Sequence, residues 1–338
     1  MAERMKDPFG RILNYVRISL TDRCNLRCVY CMPPDGVPWI PHEEIMSYES
    51  ILFLCSVLQD LGVQKIRFTG GEPFVRKGFV SFLGDVRKNF PSLKIALTTN
   101  GTYLDKWAKQ LAGLRLESVN ISLDTLDPGK FHAVTRGGDL QDVLRGIEGL
   151  RETGQVPIKV NMVVMRDYNL EEVPTLTEFA REKGILLRFI EFMPLDSDVW
   201  APPSFVAAEE ILSLLPASKS WTPLPADQGT GNVCGPAREY RSERRDQSVG
   251  IISAVSDHFC ARCNRLRITS RGVVRPCLFS ESGISILEDL RKKDREQVSR
   301  GILSAAEAKP DRGRTEIPPL DRKENEPGQS CRMSRIGG

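Results

Sequence analysis

The chain has 338 residues, 41% of them hydrophobic, which is enough for one large core or two smaller ones and too long for a disulfide-stapled miniprotein. A net charge of +3 does not argue for nucleic acid or an anionic membrane as partner, although local arginine clusters can still bind a small anion. The start, MAERMKDPFG, carries acids and no apolar core, and no run of about 18 apolar residues follows, so neither secretion nor membrane spanning is expected and the cytoplasm is the default location.

Short β-branched runs alternate with stretches of helical periodicity. Strands are expected at 15–20, 65–71, 94–101, 118–124, 158–165 and 186–192, and helices at 48–61, 79–89, 104–111, 140–152 and 173–183. This alternation builds a parallel sheet, and six units without an early dinucleotide fingerprint favour an open, partial β/α barrel over a doubly wound sheet. Residues 221–247, rich in Pro, Gly and charge, read as a linker or covering loop. Three further strands are expected at 249–255, 265–270 and 273–279, then a helix-like stretch from 289 to about 309 and a polar tail ending MSRIGG. The division expected is a barrel domain, 1–215, and a C-terminal region, 216–338.

Nine cysteines are an odd number, and six of them form two clusters, which suits metal or cluster ligands in a reducing compartment better than a disulfide framework. Cys24-x3-Cys28-x2-Cys31 lets one short loop wrap three corners of an iron-sulfur cubane and leaves the fourth iron without a protein thiolate. Cys260, Cys263 and, after thirteen residues, Cys277 again supply three ligands. The competing reading is structural zinc held by three Cys and one His. His258 beside Cys260 keeps that open for the second set, with His42 and His132 as the other histidines; the x3-x2 spacing of the first set is unlike paired zinc knuckles.

The first set, with Tyr30 before its last cysteine, resembles the radical S-adenosylmethionine superfamily. RISLTDRCNLRCVYCMP (17–33), RFTGGEP (67–73), TTNG (98–101), NISLDTL (120–126), DHFCARCNRLRIT (257–269), RPCLF (275–279) and the final MSRIGG together are similar to the GTP 3′,8-cyclase family of molybdenum-cofactor biosynthesis, from about Phe9 to the end. Cys55, Cys234 and Cys331 lie outside that pattern.

The resemblance implies an α/β fold, a partial (β/α)6 barrel of the radical SAM type with a C-terminal extension. It implies two 4Fe-4S clusters, one on Cys24, Cys28 and Cys31 and one on Cys260, Cys263 and Cys277. S-adenosylmethionine would contact Tyr30, Gly70, Gly71, Ser122 and Met193. GTP would contact Arg17, Arg67, Thr98, Lys159, Arg265, Leu266 and Arg267, with Arg17, Arg265, Arg267 and the terminal Gly337 and Gly338 serving catalysis. In that family the first cluster reduces S-adenosylmethionine to methionine and a 5′-deoxyadenosyl radical. The ribose C3′ hydrogen is then removed, C3′ attacks guanine C8, and reduction gives 3′,8-cyclo-7,8-dihydro-GTP. The open iron of the second cluster would hold the guanine edge, and the Gly-Gly tail would insert toward the site. Implied partners are a flavodoxin-like one-electron donor and, downstream, cyclic pyranopterin monophosphate synthase; no nucleic acid or membrane is implied, and a homodimer is admitted.

The residues themselves support parts of this. Arginine forks on separate strands suit a triphosphate if they converge at one barrel mouth, although each alone is as readily a salt bridge. Arg265 and Arg267 alternate along one strand and so share a face, with Leu266 on the other. A glycine pair after a strand is usually only a turn, and the weight of Gly70 and Gly71 comes from RFTGGEP. The alternatives are a radical S-adenosylmethionine peptide maturase with auxiliary clusters and, in another class, a zinc-dependent nucleic-acid-binding module.

Overall fold

A computed structural model of the chain describes residues 4–38, 40–195, 202–217, 220–225, 235–244, 246–280 and 282–313. Six strands, β1 (Tyr15–Ser19), β2 (Lys65–Thr69), β3 (Lys94–Thr99), β4 (Ser118–Ser122), β5 (Ile158–Val164) and β6 (Leu186–Glu191), lie side by side in chain order and all parallel. Between them run α1 (Tyr48–Asp60), α2 (Phe79–Asn89), α3 (Leu104–Ala112), α4 (Pro128–Thr135), α5 (Leu140–Glu152) and α6 (Val173–Lys183), with α7 (Ala208–Leu214) after β6. The expected strands and helices are all present.

The helices start where the sequence offers a side-chain acceptor to the free N–H groups of the first turn. Ser47 accepts from Ser50 N ahead of α1, Asp127 from Lys130 N ahead of α4, and Asp139 from Gln141 N ahead of α5. Alternate strand residues such as Val16, Ile18, Ile66, Phe68, Ile95 and Leu97 are at most 1% exposed and pack under these helices as the main core. The other strand face is left for the site.

The C-terminal region extends this sheet at both edges. β9 (Ser248–Ile252) pairs parallel with β6, and β10 (Arg265–Ile268) pairs parallel with β1. β8 (Arg238–Ser242) and β7 (Trp221–Pro223) continue antiparallel beyond β9, and β11 (Val273–Arg275) and β12 (Ile284–Ser285) beyond β10. The result is an open twelve-stranded sheet with β12 and β7 at its ends. One hydrophobic cluster runs through both regions, Leu266 and Ile268 sharing it with Val16 and Ile18.

Two readings need correction. Residues 221–247 are not simply a linker, because their two ends form β7 and β8. The helical stretch after 289 is two helices, α8 (Leu287–Lys292) and α9 (Arg295–Glu307); the first ends where Lys293 turns left-handed, at φ 54°, and Asp294 caps the second. Among the described residues no helix is long and apolar enough to cross a membrane.

Candidate active site

Strand alternation places two rows of polar residues on the inner face of the sheet. Cross-strand register sets Arg267 beside Arg17 and Arg17 beside Arg67, three guanidinium-bearing residues on adjacent strands. Two residues earlier, Arg265, Tyr15 and Lys65 form a second row in the same way. All six line one cavity, joined from β5 and β6 by Lys159 and Arg188. Like charges set opposite each other destabilise a sheet, so such a surface calls for an anion.

The ionisation behaviour of these groups reflects that crowding. Burial and then Arg267 hold the Arg17 guanidinium well below its ordinary range. Burial, followed by Arg188, Lys65 and Arg67, brings the Lys159 ammonium down to about 7. Burial raises the Tyr15 phenol, but Arg67, Arg17 and Lys65 outweigh it and bring it down to about 7. Carboxylates near the rows are few: Glu239 stands 3.8 Å from Arg188, and Glu117 3.5 Å from Lys65. Asn120 Oδ1, Asn161 Oδ1 and Arg188 Nε are buried without a hydrogen-bond partner and belong to cavity-lining residues, as a site awaiting a polar ligand requires.

The first cysteine loop leaves the C-terminal end of β1 and is tied on two sides. Arg27 N donates to Thr135 O and Val29 N to Val134 O at the end of α4, while Gly71 N donates to Thr21 O and Glu72 N to Arg23 O beyond β2. Gly70 and Gly71 have a packing reason: a Cβ on Gly71 would lie 2.3 Å from Arg23 O, and one on Gly70 2.7 Å from Thr21 O. Only glycine lets the strand end approach the loop this closely.

Cys31 N and Met32 N both donate to Cys28 O, a tight turn that brings the last two cysteines together. Leu26 N and Asn100 Nδ2 donate to Cys24 Sγ at 3.4 and 3.7 Å. Burial, then Cys31 and Asp124, pushes the Cys28 thiol well up, so three thiolates here need a cationic core to hold them together. Beside the loop, Tyr30 Oη donates to Asp124 Oδ2 at 2.6 Å, and both residues line the cavity.

In the second set, Cys263 N donates to Cys260 O across one turn, Cys277 follows β11, and all three cysteines line the same cavity. Burial raises the Cys263 thiol, but Arg265 and Lys309 outweigh it and hold it at about 6, a thiolate at neutral pH. Among the described residues no three Cys, His, Asp or Glu converge tightly enough to hold a single metal ion. Cubane thiolates each hold a different iron and so stand farther apart than the ligands of one ion. Three thiols per set, with Cys263 of the second already ionised, fit such a cluster.

Of the other expected residues, Thr98, Ser122 and Met193 line the cavity. The Leu266 side chain, 1% exposed, lies in the hydrophobic core, on the strand face opposite Arg265 and Arg267. Arg67 is largely used by the protein, donating to Tyr15 Oη, Leu97 O, Thr98 Oγ1 and Ser118 Oγ. Gly337, Gly338, Cys234 and Cys331 lie outside the described residues. Cys55 sits buried in α1 with its thiol pushed up to about 12 by burial, an inert core position. Lys65, Arg188, Tyr15, Asn161 and Lys309 escaped the sequence reading; the first three share strand parity with Arg67, Ile190 and Arg17, and parity could have found them.

Residues 18–180 match the Radical SAM superfamily and residues 185–315 the family described as Molybdenum Cofactor Synthesis C. The GTP 3′,8-cyclase of Thermodesulfovibrio yellowstonii is 41% identical over 308 residues, 90% of this chain and 94% of that protein. The GTP 3′,8-cyclase of Desulforamulus reducens is 40% identical over 336 residues, 99% of this chain and 100% of that protein. The chain belongs to the GTP 3′,8-cyclase family. Its cyclase fold is shared by Streptococcus suis SuiB, with a TM-score of 0.58 at 15% identity over 87% of this chain and 69% of that one.

Proposed function

We propose that the chain converts GTP to (8S)-3′,8-cyclo-7,8-dihydroguanosine 5′-triphosphate, the first step of molybdenum-cofactor biosynthesis, using S-adenosylmethionine and two 4Fe-4S clusters. The observation that carries this reading is one cavity lined by Tyr30 of the first cysteine loop, by all three cysteines of the second set and by two rows of strand cations. A peptide substrate would have no use for such rows.

Cys24, Cys28 and Cys31 would hold the first cluster, which when bound supplies one electron to S-adenosylmethionine and opens radical chemistry that no acid or base of the chain could perform. The protein's part is placement and charge. Gly70 and Gly71 keep the strand end narrow beside the loop, and Ser122 and Met193 line the wall on which the nucleoside part of S-adenosylmethionine would rest. Arg17, Arg265, Arg267 and Lys159 would bind the triphosphate, with Arg67 a fixed charge behind them. Cys260, Cys263 and Cys277 would hold the second cluster against the purine.

The ribose would lie between these groups, shielded from water during the radical stage. Gly337 and Gly338 are assigned the family's role in cyclisation. This chemistry implies a reducing compartment, the cytoplasm, and an external one-electron donor of flavodoxin type, with cyclic pyranopterin monophosphate synthase consuming the product. Anaerobic incubation of the reconstituted protein with GTP, S-adenosylmethionine and a strong reductant should give the cyclised nucleotide; colourless protein loaded with zinc would end the reading.

A further inference from the structure

The segment just after α9 is tied to the loops that carry the second cysteine set. Lys309, 4% exposed, donates from Nζ to Arg265 O at 2.9 Å and to Pro276 O at 2.8 Å, linking the backbone beyond Cys263 to the residue before Cys277. Gly313 N donates to Cys260 Sγ at 3.3 Å, and a Cβ at Gly313 would lie 3.5 Å from Cys277 Sγ.

The N-terminus locks this arrangement. Arg11 donates to Pro310 O at 2.6 Å, to Asp311 O at 3.0 Å and to Cys260 O at 2.7 Å. Its own orientation is set by an ion pair with Asp7, whose side chain is fully buried and also accepts from Phe9 N and Arg11 N at 3.0 Å each. One guanidinium thus joins the N-terminal turn, the first cysteine of the set and the segment lying over it.

We propose that residues 309–313, pinned by Arg11, form a strap that retains the second cluster and raises its reduction potential, with Lys309 and the Gly313 N–H as positioning residues. This rests on the reading of Cys260, Cys263 and Cys277 as cluster ligands. Adding an electron makes a cluster more negative, and a nearby ammonium and an N–H donated to a ligand sulfur both favour that form. The carbonyls that Lys309 and Arg11 bind also fix the ligand loops, which slows loss of iron.

The test uses the full chain with Cys24, Cys28 and Cys31 all changed to Ala, so that only the second centre gives a signal. Its midpoint is read by a redox titration followed by electron paramagnetic resonance, and its iron release by a chelator. Lys309→Met and Gly313→Pro should each lower the reduced-to-oxidised ratio at the parent's midpoint about tenfold, which is about 59 mV for a one-electron couple. Lys309→Arg should return toward the parent, Gly313→Ala, which keeps the N–H, should stay near it, and Arg11→Met should release iron faster. If Gly313→Pro does not fold, the Lys309 and Arg11 variants decide the matter. Midpoints and iron release unchanged from the parent would overturn the strap alone. A parent that binds no iron would overturn the cluster assignment and the strap with it.

Discussion

Arg17 on β1 stands directly beside Arg267 on β10, partners in a parallel ladder that joins the barrel to the C-terminal region. Two like charges in register weaken a sheet unless a ligand neutralises them, and burial sharpens the effect. The proposed triphosphate site would therefore lie on the seam between the barrel and the C-terminal region.

Arg265→Ala and Arg267→Ala should each weaken GTP binding by about 1.5 to 3 kcal/mol, the scale of a charge-assisted hydrogen bond, with iron content unchanged. Leu266→Ala, between them but facing the core, should cost about 2 to 5 kcal/mol of folding stability and leave GTP affinity near that of the parent. Calorimetry on the three proteins separates the two faces, and normal affinity in the double arginine variant would remove the triphosphate role.

As a proposed triphosphate contact, Lys159 should make GTP binding depend on pH. In the free protein it loses its proton at about 7, whereas a bound polyanion favours the charged form and raises that value. Above pH 7 binding must therefore take up a proton, and affinity should fall by up to about tenfold per pH unit. Below pH 7 the lysine is already charged and the dependence from this group vanishes. For folding without ligand the sign is opposite: the depressed Lys159 is a cost at low pH that is relieved as pH rises from about 7 towards its ordinary range. Titrations at pH 8 in buffers of different ionisation enthalpy should show proton uptake in the parent and none from this group in Lys159→Met.

Gly71→Ala drives a methyl group against Arg23 O, next to Cys24, and backbone must move to admit it. Overpacking of this kind costs about 1 to 3 kcal/mol. The variant should melt lower and lose iron from the first centre while keeping that of the second; full iron at both centres would contradict the packing role.

Cys28→Ala should abolish cleavage of S-adenosylmethionine, whereas Cys263→Ala should retain some cleavage without cyclisation. The assay is 5′-deoxyadenosine formation alongside nucleotide product. Equal loss of cleavage in both variants would refute the division of labour between the centres.

The barrel was legible because strands such as Lys65–Thr69 and helices such as Leu140–Glu152 show their period within one short window. α4 was not, being eight residues with Pro128 and Gly129 at its start and β-branched Val134 and Thr135 at its end. The edge strand β7 was hidden by Pro223, and β8 beside it by its charged residues, because each has a single buried residue and no apolar alternation. In the site, cysteine spacing and arginine parity are local and readable. That Arg67 is used up by Tyr15 and Ser118, or that Lys309 reaches Arg265 and Pro276, depends on contacts between distant segments, which no local pattern records.

The central claim is that ribose C3′ of GTP loses its hydrogen to the 5′-deoxyadenosyl radical within this cavity. Its most direct test is anaerobic turnover of GTP deuterated at C3′ with unlabelled S-adenosylmethionine, followed by mass spectrometry of both products. The account predicts deuterium in 5′-deoxyadenosine and a cyclised nucleotide that has lost it; 5′-deoxyadenosine without deuterium, or GTP recovered with its label intact while cleavage proceeds, would contradict it.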